Sequence, residues 1–308
     1  MKDFSVIVLC YNSNKAAMEK TLDSIICQKG VDLEIVFADD ASANDCLKEA
    51  TDYLDSKGFA GYKVCAHKEN VGTVKNISDA ISYAEGKYLK CIGAGDMLFS
   101  EDTLAKVKKH LRDEKSAMCF GKMQAYYMED DKVKFMTLTL PQDIKAHIDG
   151  NVKRVKMNTI VHHGWIAGAS MFYVTEVFKN YLQDIVGTVR YCEDLLQVNL
   201  LLAGERITCL NKAVMYYEYG SGISTNAGNG NSSRMKKDHD KYWKMMENDF
   251  RGNKLIKKGK VMHQLMYIED LKKRLINIMF KNPGYFFMSM RTKRQRKLYE
   301  IKEKGMLQ

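Results

Sequence analysis

The sequence predicts an α/β fold, in which a mostly parallel central sheet is covered by helices and followed by a basic C-terminal helical extension. Short apolar runs alternate with longer amphipathic runs through residues 1–100, as strands and crossover helices do. The charge then shifts, because residues 251–308 hold 16 Lys or Arg and 4 Asp or Glu, whereas residues 1–250 hold 32 and 34. We therefore expect a main domain over residues 1–232 and a helical extension over 233–308.

Each element of the first part is predicted from its own pattern. Continuous β-rich apolar runs such as FSVIVLCY are typical of strands buried on both faces. Apolar residues at steps of three and four, as in Met18, Leu22 and Ile25, indicate helix faces. The expected strands cover 4–11, 33–38, 62–67 and 88–92, and the expected helices cover 14–28, 46–54, 73–84 and 103–111.

The middle of the chain is less regular, with shorter runs and more polar breaks. An acidic turn, Glu129-Asp130-Asp131, lies between two strand-like runs and predicts a hairpin. The elements expected here are strands over 117–127 and 133–140, a helix over 192–203, strands over 206–210 and 213–217, and a glycine-rich loop over 220–233.

Composition narrows the class of protein. With 308 residues, 45% hydrophobic and 28% charged, the chain can bury a large core and is neither disordered nor collagen-like. Its eight cysteines include no C-x-x-C pair, which favours reduced thiols in a cytoplasmic protein. The N-terminus is expected to be a first strand and not a signal peptide, and no apolar run approaches the ~20 residues that a membrane span needs.

Polar residues gather where the predicted strands end. They are Asn12, Asp39, Asp40, Asn70 and Asp96. In parallel sheets ligands bind beyond the carboxyl ends of the strands, so these side chains are candidates for a ligand site. For Asp96, which follows Gly93-Ala94-Gly95, this location favours a ligand over a simple strand-ending turn.

Five segments together resemble the family 2 glycosyltransferases, inverting enzymes with the A-type nucleotide-binding fold. In chain order they are SVIVLCYN, EIVFADDAS, ENVGTVKNISDAISYAEGKYL, GAGD and CEDLLQVNLLLAGERI. The similarity covers residues 4 to about 225. A Rossmann-type oxidoreductase or methyltransferase is disfavoured, because CYNSNK stands where a G-x-G-x-x-G would follow the first strand.

The resemblance implies a nucleotide-sugar site at the strand ends. Asp39 or Asp40 can accept hydrogen bonds from a uracil N–H or a ribose hydroxyl, and the resemblance favours Asp40. The alternative for Asp40 is turn formation and helix capping. Lys75 can face the base or phosphate, and a solvated helix-face lysine is the alternative. The implied nucleotide-sugar ligands are Tyr11, Asn12, Asp39, Asp40, Asn70, Gly72, Lys75, Gly95 and Asp96.

The resemblance also implies a divalent cation, Mg²⁺ or Mn²⁺, held by Asp96. The family often has Asp-x-Asp at this position, whereas GAGD retains only the last acid. One carboxylate with substrate phosphates and water is sufficient for Mg²⁺ in principle. His162 and His163 could be further ligands, although a histidine pair before a tryptophan is more often structural or faces the acceptor.

Catalytic and acceptor roles follow from the same resemblance. Asp194 is the implied base on the acceptor hydroxyl, and Glu193 assists it or binds the acceptor. At a helix N-terminus the dipole is expected to lower the pKa of both carboxyls. Trp165, Gly168 and Ala169 resemble the acceptor-side segment, with core packing as the alternative for Trp165. The segment 219–225 matches a loop that closes over the diphosphate in relatives.

The implied function is transfer of a sugar from a UDP-sugar to a hydroxyl of a glycan or lipid-linked acceptor, in bacterial surface polysaccharide synthesis. The alternative is a nucleotide-sugar-binding protein of the same fold without catalysis. The basic segment 251–308 has apolar helical positions and predicts attachment to an anionic membrane surface. A solvated helical appendix or an oligomer contact is the alternative, and no nucleic-acid-reading motif accompanies the charge. We expect a cytoplasmic protein, peripheral at the inner face of the cell membrane.

Overall fold

The computed structural model describes residues 1–130, 132–220 and 229–307, with residues 229–232 described by their backbone alone. The strands are β1 Phe4–Cys10, β2 Leu33–Asp39, β3 Tyr62–Ala66, β4 Tyr88–Gly93, β5 Met97–Leu98, β6 Met118–Glu129, β7 Lys132–Thr137, β8 Met171–Val174 and β9 Ile207–Glu218. The helices are α1 Lys15–Ile26, α2 Cys46–Ser56, α3 Thr73–Ala80, α4 Thr103–Glu114, α5 Ile144–Ile148, α6 Val152–Lys156, α7 Thr175–Gln183, α8 Leu196–Ala203, α9 Asn229–Asp249, α10 Lys254–Met266, α11 Leu271–Lys281 and α12 Gly284–Arg294.

These strands form a nine-stranded sheet in the order β3-β2-β1-β4-β8-β6-β9-β5, and β7 pairs with β6. The predicted α/β fold with a central sheet and flanking helices is confirmed. Strands β3, β2, β1 and β4 run parallel, as do β6 and β9. The antiparallel strand β8 lies between β4 and β6, so the whole sheet is mixed.

Two predicted elements differ from the observed ones, and a third, the hairpin, is present. The two short strands predicted around the polar pair Asn211-Lys212 are one continuous strand, β9, because a register shift in its pairing with β6 accommodates that pair. The helix predicted from residue 192 begins as a 3₁₀ turn, Glu193–Leu195, before α8. The predicted hairpin is present as β6 and β7, and Asp131 of its turn lies outside the described residues.

Two hydrophobic clusters cover the sheet. Strand β2 is buried along its whole length, including its two acidic residues Glu34 and Asp39. The larger cluster includes Tyr242, Trp243 and Met246 of α9 and Ile256 of α10. The first helices of the basic extension therefore pack into the same core as the sheet.

Two further predictions concern reduced cysteines and the lack of a membrane-spanning segment. All eight cysteines are free thiols, five of them buried and three half-buried. In the described ranges no helix is both long enough and apolar enough to cross a bilayer.

Candidate active site

The strand ends bring the predicted polar residues to one edge of the sheet. Cys10 pairs with Asp39 at the ends of β1 and β2, and Leu9 pairs with Gly93 of β4. Asn12 and Asp96, which follow β1 and β4, are therefore in loops that leave the sheet side by side. This edge is where a parallel sheet holds its ligands.

The carboxylates of Asp39 and Asp40, at the end of β2, both accept hydrogen bonds from neighbouring loops. Asp39 accepts from the Ser42 hydroxyl at 2.5 Å and from the Ser42 amide at 3.1 Å. Asp40 accepts from the amides of Val71 at 2.6 Å and Gly72 at 3.0 Å. Asp40 thus anchors the turn that precedes α3, the structural role left open by the sequence, and its contact with a nucleotide stays a prediction.

The turn after β1 is built on a left-handed asparagine. Asn12 has φ +49°, and its side-chain oxygen accepts from the amide of Ala43 at 2.7 Å. Its own amide donates to the Ser42 hydroxyl at 2.9 Å. Tyr11 beside it is 56% exposed, so the ring is free to stack on a planar ligand.

Arg190, which the sequence analysis did not identify, holds the loop that follows β3. The Arg190 guanidinium donates to the carbonyl and side-chain oxygens of Asn70 at 2.6 and 2.8 Å, and its backbone carbonyl accepts from Val74. Gly72 has φ +86°, and a Cβ there would lie 2.3 Å from Arg190 Cγ. Only glycine admits this approach. The contact spans 120 residues, so no local pattern indicates it.

Lys75 lies on the exposed face of α3. Its ammonium pairs with Asp79, one turn further along the helix, at 2.6 Å. The side chain is 47% exposed. This arrangement is the solvated helix-face lysine that the sequence allowed, and its contact with a base or phosphate stays a prediction.

Asp96 has a second carboxylate beside it. The amide of Glu218, at the end of β9, donates to Asp96 Oδ1 at 3.1 Å. Gly95 has φ +99°, and a Cβ there would lie 2.1 Å from Glu218 Oε2. Burial raises the pKa of Asp96 to about 7, and the Glu218 charge adds to the rise. An acid absent from GAGD in sequence is thus supplied in space by a distant strand.

The predicted catalytic acids lie in the 3₁₀ turn Glu193–Leu195. Burial raises the pKa of both the Glu193 and Asp194 carboxyls, and the Asp194 charge raises that of Glu193 further. The expectation that the helix N-terminus would lower these pKa values is wrong. Hydrogen bonds from backbone amides do act downward, but loss of water around two adjacent acids outweighs them.

The predicted acceptor segment lies against this acid pair. A Cβ on Gly168 would lie 3.0 Å from Glu193 Oε1 and 3.4 Å from Asp194 Cβ. Buried Gln197 joins the two segments, because its amide donates to the carbonyls of Asp194 at 2.8 Å and Ile166 at 3.1 Å. The structure therefore brings the predicted acceptor segment and the predicted base together.

Trp165 and the two histidines before it are held by packing. The Trp165 indole donates to the carbonyl of Thr159 at 3.0 Å and stacks on His163, with ring centroids 4.6 Å apart. His163 also stacks on Trp243 at 5.2 Å, and burial lowers the pKa of His163 to about 3. These contacts give His163 a structural role, which is one of the two roles that the sequence favoured for the pair, the other being contact with the acceptor.

The segment predicted to close over the diphosphate is only partly described. Tyr219 is 45% exposed at the end of β9. Residues 221–225 of that segment lie outside the described residues.

A family model decides the identity of the chain. The model described as "Glycosyl transferase family 2" matches residues 5–174, more than half of the sequence. The chain belongs to glycosyltransferase family 2. The match contains the loops after β1, β2, β3 and β4 and the acceptor-side residues, while the acid pair lies beyond it.

Solved structures share the fold of this family 2 glycosyltransferase. TarS 1-349 of S. aureus in complex with UDP-GlcNAc gives a TM-score of 0.58 at 17% identity, covering 96% of this chain and 88% of TarS 1-349. The mannosyltransferase PcManGT from Pyrobaculum calidifontis, in complex with GDP-Man and Mn²⁺, gives 0.54 at 14% identity, covering 96% and 87%.

A curated relative is a "PGL/p-HBAD biosynthesis glycosyltransferase" of Mycobacterium bovis. It is 29% identical over 120 residues, which are 38% of this chain and 45% of the relative. The chain thus spans less than half the length of this relative.

Proposed function

We propose that this family 2 glycosyltransferase is an inverting enzyme that moves a sugar from a UDP-sugar to a hydroxyl group of a glycan or lipid-linked acceptor. The observation that carries the proposal is the half-buried pair Glu193 and Asp194, which lies against the acceptor segment at Gly168 and whose carboxyl pKa values are raised. Carboxyl groups with raised pKa values are poised for proton transfer near neutral pH.

In this proposal Asp194 takes the proton of the acceptor hydroxyl. The hydroxyl oxygen then forms a bond to the anomeric carbon while the bond from that carbon to the diphosphate oxygen breaks on the opposite face. The configuration inverts, and the electron pair of the broken bond leaves with UDP. Glu193, directly beside the base, positions it or the acceptor, and Gln197 fixes the Asp194 backbone against Ile166.

The donor half of the site lies at the ends of β1, β2 and β4. Exposed Tyr11 can stack on the base, and Arg190 holds the Asn70 loop in place. Support for a UDP-sugar comes from TarS, whose structure contains UDP-GlcNAc, while PcManGT contains GDP-Man. The proposed nucleotide-binding residues also include Asn12, Asp39, Asp40, Gly72 and Lys75.

The residues at GAGD fit a divalent cation. Asp96 and the neighbouring Glu218 are hard oxygen donors of the kind that Mg²⁺ and Mn²⁺ bind, and Gly95 lets the two segments approach. Within 1–130, 132–220 and 229–307 no group of three potential metal-binding side chains occurs, so substrate phosphates and water would complete the coordination. When bound, the cation would neutralise charge on the diphosphate.

The acceptor and the location of the enzyme are proposed from the C-terminal helices. Helix α11 exposes Leu271, Leu275, Ile276, Met279 and Phe280, and Phe280 is 76% exposed. Basic residues of the same segment add attraction to anionic lipid. These features support peripheral attachment to the inner face of the cell membrane and a lipid-linked acceptor in bacterial surface polysaccharide synthesis.

The replacement Asp194→Asn tests the proposed function. We expect turnover of a UDP-sugar to fall by about 10²–10⁴-fold, because the base is lost, while calorimetric binding of the donor stays unchanged. Asp184→Asn, an exposed acid ten residues earlier, is the matched control. Full activity of Asp194→Asn would overturn the base assignment. Binding of nucleotide sugars by the wild type without turnover of any of a panel would favour the non-catalytic alternative.

A further inference from the structure

Lys90 is a fully buried lysine in the middle of β4. Its ammonium donates to the carbonyl oxygens of Ala169 and, at 3.3 Å, Met171, and lies 4.8 Å from the centre of the Phe172 ring. Within the ranges that the structure describes it forms no ion pair. A lysine is almost never fully buried without a paired charge, so its place here needs a reason.

The two carbonyls that Lys90 binds, those of Ala169 and Met171, belong to residues 166–171, which we call the acceptor wall because Gly168 within it lies against the acid pair. Ala169 directly follows Gly168, whose backbone lies against Glu193 and Asp194. The other end of this wall is held by Gln197, through Ile166. Lys90 and Gln197 therefore fix the acceptor segment at two points on either side of Gly168.

The Lys90 charge also acts on the site. Burial lowers the pKa of Lys90 to about 8, and Asp96 and Glu193 are among the groups that act against this shift. The other titratable groups around it are the Cys91 and Cys119 thiols, and Tyr173 faces Glu193 from β8; burial raises the pKa of all three. Within the acid pair, Glu193 is thus the carboxyl whose ionisation responds to the lysine, because the Lys90 charge lowers the pKa of Glu193 against the effect of burial.

We propose that Lys90 is a positioning residue of the transfer reaction, which fixes the carbonyls of Ala169 and Met171 behind the acid pair and supplies a buried positive charge that favours ionised Glu193. The inference rests on the proposed function of the acid pair. It explains why a charged side chain occupies a strand position that is otherwise apolar in pattern.

The test compares Lys90→Met with the wild type in steady-state kinetics over pH. We expect kcat to fall by up to about a hundredfold through the displaced acceptor wall, with little change in KM for the UDP-sugar. Loss of the lysine charge should raise the pKa of Glu193, so the acidic limb of the kcat/KM profile should move up by about one pH unit. Lys90→Arg, which keeps the charge, should restore the wild-type profile.

Lys122→Met is the matched control, because Lys122 is a partly buried lysine of β6 whose pKa burial also lowers. It should leave the pH profile unchanged. A wild-type profile in Lys90→Met, or an equal shift in Lys122→Met, would overturn the proposal.

Unfolding in urea across pH gives a second readout that needs no turnover. Lys90→Met should lose stability relative to the wild type as pH rises, because ionised carboxyls are then left without their cation. A difference in stability that is constant with pH would mean that Lys90 is only structural. If the wild type turns over no sugar but this slope is present, the proposed function fails and the electrostatic role of Lys90 stands.

Discussion

The Glu218 amide donates to Asp96 Oδ1 at 3.1 Å across 122 residues of sequence, so the last residue of β9 and the end of the GAGD loop form one unit. The side chain of Glu218 lies over Gly95, in the space that a Cβ would need. Because Gly95 has no side chain, the carboxylate of Glu218 can lie close to Asp96. Their closeness costs free energy when no cation is present, and it would favour the divalent cation proposed for this position.

Gly95→Ala should lower the free energy of unfolding by about 1–3 kcal/mol, because alanine is strained at φ +99° and its Cβ displaces the Glu218 carboxylate. Urea unfolding measures the change. Gly58→Ala is the matched control, since Gly58 has φ +71° with no neighbour within 4 Å and reports the backbone part alone. Adding Glu218→Ala to Gly95→Ala should remove the excess over the control. An excess that persists in the double variant would show that Glu218 is not its source.

Arg190→Ala should weaken binding of UDP-sugar by about tenfold or more, because the charged hydrogen bonds that hold the Asn70 loop are lost. Calorimetry with UDP measures the affinity directly. Arg234→Ala is the control, because the Arg234 guanidinium lies 6.0 Å from the Tyr191 ring and near the same segment. Equal losses in the two variants would mean that general positive charge, and not the loop contact, supports binding.

The sequence predicted which polar residues lie at the ends of the strands. Strand ends are marked by an apolar run that stops at a polar residue, so the positions of Asn12, Asp39 and Asp96 at the sheet edge follow from local patterns, and their roles in binding stay predictions. Alternation of strands and helices also gave the parallel part of the sheet. The antiparallel insertion of β8 was not predicted, because pairing partners far apart in sequence leave no local pattern.

The residues that the sequence missed act through distant contacts. Arg190, Glu218 and Lys90 each meet their partners across 79 to 122 residues. Lys90 in addition breaks the expected hydrophobicity of its strand, and this local conflict was the one available indication. The raised pKa values of Glu193 and Asp194 were missed for a similar reason, since burial depends on the whole fold.

The acid pair gives a pH prediction for activity. Since the pKa values of both carboxyls are raised, kcat/KM should fall as pH drops, at a pH above the ordinary carboxyl range of about 4. A profile measured from about pH 3 to pH 9 checks this. An acidic limb at about pH 4 or below would contradict a functional base with a raised pKa.

The same pair gives a pH prediction for stability, with Asp143 as the control of opposite sign. A raised folded-state pKa contributes stability below pH 4 that is lost as pH rises, so Glu193→Gln should gain relative to the wild type toward pH 8. Burial acts to raise the pKa of Asp143, but hydrogen bonds from Gln295, Arg291 and Asn158 outweigh it and lower that pKa. The stability that Asp143 contributes is fully present above its ordinary pKa of about 4 and is lost as pH falls below that value, so Asp143→Asn should gain relative to the wild type toward about pH 3 in urea unfolding. Equal slopes in the two variants would refute the assignment.

The exposed face of α11 gives the prediction on membrane attachment. Phe280→Ser should reduce binding to anionic vesicles by about tenfold or more, because a phenylalanine that enters lipid contributes about 1.5–3 kcal/mol. Binding should also weaken with salt, since each basic residue near the surface contributes about 1 kcal/mol. Vesicle sedimentation with anionic and neutral lipid measures both effects.

Phe135→Ser on β7 is the matched control, because Phe135 is 41% exposed and lies outside the basic segment. Point variants are preferable to deletion of residues 251–308, since Ile256 belongs to the main core and Arg291 binds buried Asp143. Equal binding of the wild type to neutral and anionic vesicles, or equal losses in the two serine variants, would contradict attachment through α11. Loss in Phe280→Ser alone, with unchanged turnover of UDP-sugar and a soluble acceptor, would place the membrane contact on this helix and separate it from catalysis.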